Sequence, residues 1–308
     1  MAQHVLIDVV LIGNVVREYV VRSNHRTGPV LGSPTAYASL ALVKQGMRPG
    51  IVSFCDKDFR GVVEEKLISV DLTGCLDYIV TTEDHLIYLK KQRNRVEYFK
   101  KAPVIYREVI PQDYLSAPAF FICPMDYEVS ADLMTDLSEA GRRLYIDLGG
   151  FGGTTSYNHF PASSKKGQYL LDKICRAATF VKASSDDLRY LYPDDKEESA
   201  ARKLIERGAE GVLITMAEHG ALCVLKDGRS CYAPAYVRDA KKLYPTGCGD
   251  ILTAGFIAGT ERGLDPQTAL EYGSAAAAYA LTKEGWCEEN RMPTVREIEA
   301  LMAEKRHA

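Results

Sequence analysis

Apolar residues recur along this 308-residue chain in two alternating patterns, and their order predicts the fold. Near-continuous apolar runs, typical of strands buried on both faces, cover residues 5–12, 50–54, 119–123, 143–148, 178–184, 211–215 and 221–226. Apolar residues at helical spacing predict helices over 35–45, 130–141, 199–208, 250–262 and 266–282, and a last helix from Pro293 with Thr294 and Glu297 as a capping box. This order predicts an α/β fold in which an open, mostly parallel sheet carries helices on both faces.

Two segments depart from this pattern. In residues 15–31 and again over 77–99, polar and apolar positions alternate between polar turns, which predicts exposed strands of a small separate sheet. Such a sheet would serve as a lid over a site or as a dimer surface. We therefore predict a single domain over 1–308 with lid insertions at about 15–31 and 77–106.

Composition narrows the class of partner. Apolar residues make up 46% of the chain and charged residues 26%, with a net charge of -3, so nothing in the charge balance favours nucleic acid or an acidic membrane, and small molecules are the expected partners. The eight cysteines show no C-x-x-C spacing, so neither a zinc site nor a disulfide framework is expected. The N-terminus lacks a basic signal-peptide region and no apolar stretch reaches membrane-spanning length, which predicts a cytoplasmic protein.

The run LYPTGCGDILTAGFIAGTERG, residues 243–263, carries the clearest chemistry. Gly247 and Gly249 let the backbone approach an anion closely, and the helix that follows adds its free N–H groups and positive dipole end. Asp250 in the first helical turn is then a carboxylate beside an anion pocket, the arrangement expected of a phosphotransferase with a catalytic base. The alternative is a common turn followed by an Asp that only compensates the helix dipole.

Other candidate loops also follow predicted strands. In open parallel sheets ligands bind beyond the carboxyl ends of the strands. The loops at that edge are Gly13 with Asn14, and residues 149–156, 184–187 and 216–220. Each alone is also explained as simple turn chemistry, so their order along the chain is the more informative observation.

Taken in this order, the chain resembles the PfkB/ribokinase family of sugar and nucleoside kinases. The family signature Asp-Thr-x-Gly-Ala-Gly-Asp is similar to residues 244–250, Tyr-Pro-Thr-Gly-Cys-Gly-Asp, in both glycines and the final Asp. The resemblance implies a ribokinase-like three-layer α/β/α sandwich with a β lid, and ATP-dependent transfer of the γ-phosphoryl group to a hydroxyl of a sugar, polyol or nucleoside. It makes Asp250 the base and the N–H groups of Gly247, Cys248, Gly249 and Asp250 the anion hole.

The resemblance also implies a nucleotide side. The family's Asn-x-x-Glu motif, which organises Mg²⁺ and phosphate contacts, falls on Ser184 to Asp187, where Asp187 would hold Mg²⁺ through water. The turn near the nucleotide looks like Thr215 to Gly220, and the late helix lining the adenine pocket carries Ser274 where the family has Asn. Residues implied to contact ATP are Ser184, Asp187, Thr215, Gly220, Thr246, Gly247, Gly249 and Ser274.

The implied acceptor side departs further from the family. Gly32 matches one glycine of the early Gly-Gly motif, Glu18 or Arg17 lies where relatives carry Asp, and Ala36 replaces a sugar-binding Asn, so the pocket is not that of ribokinase itself. Tyr37 and Asn14 are nearby polar groups that could substitute. The resemblance suggests a homodimer through the lid.

Two points stay open at this level. Tyr244 and Pro245 replace the Asp-Thr pair that helps hold a monovalent cation in many members, which makes that cation doubtful as a cofactor. Cys248 is either a thiol activated by the helix N-terminus or a small packing residue.

Two other functions compete with the kinase. A catalytically silent sugar- or nucleotide-binding protein on the same fold is the main alternative. A Rossmann dehydrogenase is disfavoured because no G-x-G-x-x-G follows the first strand.

Overall fold

The computed structural model describes residues 6–22, 25–89, 95–157, 164–236 and 242–306. The strands within these ranges are β1 (Val9–Ile12), β2 (Val16–Arg22), β3 (His25–Gly32), β4 (Pro49–Cys55), β5 (Asp71–Asp77), β6 (Thr82–Tyr88), β7 (Arg95–Lys100), β8 (Ala119–Ile122), β9 (Arg143–Asp147), β10 (Phe180–Ser184), β11 (Gly211–Thr215), β12 (Ala221–Leu225) and β13 (Ser230–Ala233). The α-helices are α1 (Pro34–Lys44), α2 (Lys57–Lys66), α3 (Ala131–Glu139), α4 (Lys165–Ala177), α5 (Ser185–Leu191), α6 (Glu197–Glu206), α7 (Cys248–Glu261), α8 (Pro266–Leu281) and α9 (Val295–Arg306).

Nine of these strands form one sheet in the order β13-β12-β11-β10-β9-β8-β1-β4-β5. Every neighbouring pair from β5 to β11 is parallel, while β12 and β13 are antiparallel additions at one edge. The chain order reverses direction around β1, so the carboxyl ends of the parallel strands meet at one edge of the sheet, where ligands bind in such folds. The predicted α/β class is confirmed.

Two apolar cores lie on opposite faces of this sheet. In β1, Val9 and Leu11 face one core while Val10 and Ile12 face the other, as the two-residue period of a strand requires. The first core packs the sheet against α1, α2, α7, α8 and α9, and the second packs it against α3 to α6. Burial on both faces explains why these strands read as uninterrupted apolar runs.

A second sheet of four strands, in the order β3-β2-β6-β7, forms a separate layer. Its outer strands pair antiparallel with the inner ones, whereas β2 and β6 run parallel to each other. The sequence pattern predicts that the second insertion begins at Asp77. In the structure, Asp77 is the last residue of β5, which pairs with β4 at the edge of the large sheet. The small sheet therefore resumes only at Thr82.

The apolar pattern misses several elements. Helix α2 buries only Phe59 and Val63 and is otherwise mostly charged, so its apolar stripe is too narrow to predict a helix from the sequence. Also unpredicted are α4, α5, β5 and β13. The first strand begins at Val9 rather than at residue 5, which lies outside the described ranges, and α7 begins at Cys248, two residues earlier than the pattern indicates.

The helices α7 and α8 pack with their backbones in contact. A Cβ on Gly255 would lie 2.8 Å from the Cα of Gly273, and a Cβ on Gly273 would lie 3.0 Å from the backbone nitrogen of Phe256. Only glycine fits at such a crossing. In the described part of the chain, no helix combines the length and apolar character needed to cross a bilayer.

Candidate active site

Several of the sequence-predicted residues lie at the carboxyl edge of the large sheet: Ser184 ends β10, Thr215 ends β11, and the first turn of α7 carries Asp250. Asp147, which the sequence did not single out, ends β9 at the same edge. The side chains of Asp147 and Asp187 both act electrostatically on Asp250, so these separate loops meet in space. The topology thus brings together segments up to about a hundred residues apart, as expected for an open parallel sheet.

The turn that opens α7 requires glycine. Gly247 is the N-cap residue with φ 78°, in the left-handed region. A Cβ there would lie 2.6 Å from Cε1 and 2.7 Å from Cγ of Tyr37, so both the backbone angle and the Tyr37 ring exclude a larger residue. Tyr37 on α1 therefore packs directly on the turn.

The start of α7 offers free donors beside open space. The N–H of Cys248 donates to the carbonyl of Pro245, but among the described residues the N–H groups of Gly249 and Asp250 have no acceptor. Such unpaired donors are the normal condition of a first helical turn. A Cβ on Gly249 would meet no described atom within 4 Å. The turn can therefore accept an anion.

Asp250 is half-buried in the first turn of α7. Burial raises the pKa of its carboxyl to about 7, the carboxylates of Asp147 and Asp187 add to the rise, and the ammonium of Lys182 opposes it. A carboxyl with this pKa is poised to take up or release a proton near neutral pH.

A buried ion pair that the sequence analysis missed lies behind Asp250. Lys182 in β10 donates from Nζ to Oδ2 of Asp147 at 2.8 Å, and both side chains are almost fully buried. Burial lowers the pKa of Lys182, but the carboxylates of Asp147, Asp250 and Asp187 raise it by more than burial lowers it. The ammonium therefore stays charged. The available signal was a lysine in the otherwise apolar run FVKAS.

Ser184 and Asp187 form a capping box at the start of α5. The Ser184 hydroxyl and backbone N–H both donate to Oδ2 of Asp187, and the Asp187 N–H donates to the Ser184 hydroxyl oxygen. The other carboxylate oxygen, Oδ1, accepts from the N–H of Thr154 at 2.7 Å, which ties the 149–156 loop to α5. Asp187 is thus engaged through both oxygens.

Direct coordination of a metal by protein has little support at this edge. No group of three or more His, Cys, Asp or Glu side chains within the described ranges is arranged to hold an ion. The oxygens of Asp147 are also engaged, since Oδ1 accepts from the N–H of Gly149 and Oδ2 from Lys182. The carboxylate oxygens of Asp147 and Asp187 are therefore already engaged, so an ion held through water fits this edge better than direct ligation does.

A polar cleft of about 290 Å³ lies next to the α5 cap. Ser184 and Thr215 lie on its wall together with Met216 and His219, and Gly220 closes the turn with φ 88°. Ser274 does not line this cleft; it is buried in α8 and its hydroxyl donates to the carbonyl of Pro234 at 3.3 Å. Two of the expected nucleotide contacts therefore share the cleft.

The expected acceptor residues divide into two groups. Glu18, Gly32 and Tyr37 come together: a Cβ on Gly32 would lie 3.0 Å from Cβ of Glu18, and the charges of Glu18 and Asp250 act on Tyr37. Asn14 is used elsewhere, because its amide nitrogen donates to the carbonyl of Pro103 and its oxygen accepts from the N–H of Phe54. Asn14 thus holds the loop after β1 in place.

Thr246 links the turn to the small sheet. Its hydroxyl is hydrogen-bonded to that of Tyr88, the last residue of β6. Burial raises the pKa of the neighbouring Cys248 thiol to about 11, despite the guanidinium of Arg291. The packing interpretation of Cys248 is the one that the structure supports.

Arg291 is a fully buried guanidinium that the sequence analysis also missed. Its Nη2 donates to the carbonyl of Tyr244 at 2.7 Å and its Nη1 to the carbonyl of Trp286 at 3.0 Å, while the carbonyl of Ala280 lies 3.5 Å from Nη2. Its centre lies 5.9 Å from the ring centroid of Tyr37. No carboxylate of the described residues forms an ion pair with it, so backbone carbonyls and the C-terminal end of α8 stabilise this charge.

Comparison with known proteins gives a consistent set of similarities. A family model described as "pfkB family carbohydrate kinase" matches residues 122–294. Cytidine kinase of Thermococcus kodakarensis is 26% identical over 285 residues, covering 91% of this chain and 98% of that protein.

Solved structures resemble the fold as a whole. Arabidopsis thaliana ribokinase complexed with ribose and ATP aligns with a TM-score of 0.77 at 14% identity, covering 97% of this chain and 99% of that one. A pyrophosphate-dependent kinase in the ribokinase family, complexed with a pyrophosphate analog and myo-inositol, aligns with a TM-score of 0.76 at 17% identity over 95% of this chain and 99% of that one. At these identities the likeness shows the fold alone, which is ribokinase-like.

Proposed function

The chain belongs to the pfkB family of carbohydrate kinases, and from this premise we propose that it transfers the γ-phosphoryl group of ATP to a hydroxyl of a small sugar, polyol or nucleoside. The observation that carries the proposal is the turn at the start of α7. There the free N–H groups of Gly249 and Asp250 border open space, next to a carboxyl whose pKa is raised to about 7.

Asp250 is proposed as the base. It removes the proton of the acceptor hydroxyl, whose oxygen then forms a bond to the γ-phosphorus while the bond to the leaving ADP breaks. The free N–H groups at the start of α7 hold the negative charge that spreads over the transferred phosphoryl oxygens, and the helix dipole adds to this stabilisation. The ammonium of Lys182 limits the rise in the pKa of the Asp250 carboxyl.

The nucleotide is proposed to lie along the cleft next to α5. Ser184 and Thr215 on its wall and Gly220 at its turn support this placement, while Ser274 would act only through the packing of α8. Mg²⁺ bound to the nucleotide would neutralise phosphate charge. Asp187 would orient such a hydrated ion from behind its capping box, and would not ligate it directly.

We further propose that Arg291 takes the part of a monovalent cation. Its guanidinium collects carbonyl oxygens at the entrance to the α7 turn, including that of Tyr244. We expect kcat to change less than about twofold when K⁺ is replaced by tetramethylammonium, because the permanent charge of Arg291 already neutralises the carbonyl oxygens at this turn. Arg291→Ala should lower kcat and make it respond to added K⁺, measured as a K⁺ titration of turnover. A wild-type enzyme that needs K⁺ would contradict this role.

Two glycines of the turn give a matched pair of variants. Gly247→Ala forces a Cβ into the Tyr37 ring at a positive φ, so we expect it to lower the free energy of unfolding by about 1–3 kcal/mol and to reduce activity. Gly249→Ala adds a methyl group only to open space, so stability should hold while phosphoryl transfer falls. Urea unfolding and initial rates on both variants test this. Full activity in Gly249→Ala would contradict the binding of the transferred phosphoryl group at this turn.

The experiment that tests the function is ATP consumption coupled to ADP detection over a panel of sugars, polyols and nucleosides. Turnover with at least one acceptor, dependent on Mg²⁺, is the expected result. Binding of ATP and an acceptor without any turnover would favour the silent binding protein instead. Pyrophosphate is included as a donor, since the myo-inositol kinase of similar fold is pyrophosphate-dependent. The homodimer through the small sheet stays a prediction, testable by sedimentation.

A further inference from the structure

Two buried carboxylates lie side by side in the small sheet. Glu18 on β2 and Asp84 on β6 are opposite each other in the parallel register of these strands. Glu18 is 6% exposed and Asp84 is not exposed at all. Oε1 of Glu18 and both carboxylate oxygens of Asp84 have no hydrogen-bond partner. Buried acceptors without donors are costly, which raises the pKa of both carboxyls, and hydroxyl donors from a ligand would satisfy them.

A third unpartnered group extends the pair toward the α7 turn. The hydroxyl of Tyr37 is buried and has no hydrogen-bond partner. The Tyr37 ring packs against Gly247, and the Glu18 carboxyl lies next to Gly32, where a Cβ would be 3.3 Å from its Oε2. Unsatisfied oxygens therefore line a path from Asp84 through Glu18 and Tyr37 to the turn that carries Asp250.

The cations of the small sheet that could neutralise these carboxylates are engaged elsewhere. Arg17 pairs with Asp56 and Glu83, and Lys100 also pairs with Glu83, on the other face of the sheet. Among the described residues no Lys or Arg forms an ion pair with Glu18 or Asp84. The charged neighbour that faces Glu18 is Asp250, another acid.

On the premise of the proposed kinase function, we infer that the acceptor is an uncharged molecule with two neighbouring hydroxyl groups, which donate to Glu18 and Asp84. Adjacent strands lie about 5 Å apart, so hydroxyls on adjacent carbons can reach both carboxyls. Sugar acids and sugar phosphates are rejected, because their charge would face two acidic side chains with no cation to compensate. The ribose of a nucleoside and the ring of a cyclic polyol share this chemistry.

Asp84 is thereby assigned as a specificity-determining residue. Asp84→Asn should leave the fold intact, because the replaced oxygens have no partner to lose. We expect the KM for the acceptor to rise about tenfold or more, because the amide nitrogen of Asn replaces an oxygen that would accept from the acceptor hydroxyl, with a smaller change in kcat. Glu83→Gln is the matched control: it replaces a carboxyl by an amide in the same strand on the opposite face, and the acceptor KM should not change.

The test compares acceptors that differ in one feature. Cytidine is compared with 2′-deoxycytidine and with cytidine 5′-monophosphate, and myo-inositol with a singly deoxygenated inositol and an inositol monophosphate. In whichever series is active, we expect the acceptor with the intact diol to be preferred. Comparison of the two series shows whether the acceptor is a nucleoside or a polyol. Efficient phosphorylation of a sugar acid or sugar phosphate, or an unchanged KM in Asp84→Asn, would overturn the inference while the kinase function stands.

Binding measured without turnover separates the two proposals. Calorimetry with the same acceptors on the Asp250→Asn protein reports recognition by Glu18 and Asp84 even if no acceptor is phosphorylated. Binding of a neutral diol that weakens about tenfold when Asp84→Asn is added supports the inference independently of catalysis. Equal binding with and without Asp84, or binding of the charged analogues alone, refutes it.

Discussion

Asp250→Asn is expected to lower kcat by about 10²–10⁴-fold, the usual contribution of a general base, while the KM values for nucleotide and acceptor change little. The amide keeps the size of the side chain and leaves the free N–H groups of the α7 turn in place, but it cannot take the hydroxyl proton. Steady-state rates with the preferred acceptor measure the loss. A variant that keeps most of its turnover would exclude Asp250 as the base.

The same variant should fold at least as well as the wild type. In the folded chain the pKa of Asp250 is raised to about 7, against about 3.9 for an unperturbed Asp. Between these values the unfolded chain binds fewer protons, so this carboxyl makes the fold less stable as pH rises. The thermal midpoint of Asp250→Asn should therefore match the wild type at pH 4 and exceed it at pH 8. Glu18, with its pKa also raised to about 7 by burial, titrates in the same range, and Glu18→Gln separates its share.

Lys182→Met is expected to lower the free energy of unfolding by about 3–5 kcal/mol, because it leaves the carboxylate of Asp147 buried without its partner. The two side chains are nearly inaccessible to solvent and lie 2.8 Å apart. Urea unfolding measures the effect. The double variant Asp147→Asn/Lys182→Met is the control, since removing both charges should recover much of the loss. Equal instability in the single and double variants would mean that packing, rather than charge, holds this position.

Lys182→Met should also shift the pH dependence of any activity that remains. Lys182 opposes the rise in the pKa of Asp250, so its removal should move the acidic limb of kcat/KM from about 7 to higher pH. An unmoved limb would show that Asp250 does not control this step of the profile. Asp187→Asn acts in the opposite electrostatic sense and should move the limb downward, although it also weakens the cap of α5.

Local sequence was sufficient for features that depend on neighbouring residues. The parallel strands can be predicted from uninterrupted apolar runs, because helices cover both faces of the sheet. The α7 turn can be recognised in the sequence because its glycines and its acid lie within four consecutive positions, Gly247 to Asp250. The capping box of Ser184 and Asp187 is equally local, although it is the structure that reveals its engagement by Thr154.

Features that depend on distant pairing could not be predicted this way. Lys182 meets Asp147 across 35 positions, and Arg291 meets Tyr244 across 47. Asp84 becomes a neighbour of Glu18 only because β2 and β6 pair in parallel, whereas alternating strands favour a hairpin interpretation. In the sequence, each of these charged residues looks like an ordinary polar residue. Its role depends on the strand register and the burial that the whole fold imposes.

The contact between α7 and α8 has a consequence for how this protein could change over evolutionary time. Because Gly255 and Gly273 bring the two backbones together, no compressible side chain lies between them at this crossing. The helix that carries Asp250 cannot tilt there without separating two main chains, so under the proposed function a larger or smaller acceptor would be accommodated by the strands of the small sheet. New acceptor ranges would then arise by substitutions in those strands, with the position of Asp250 unchanged.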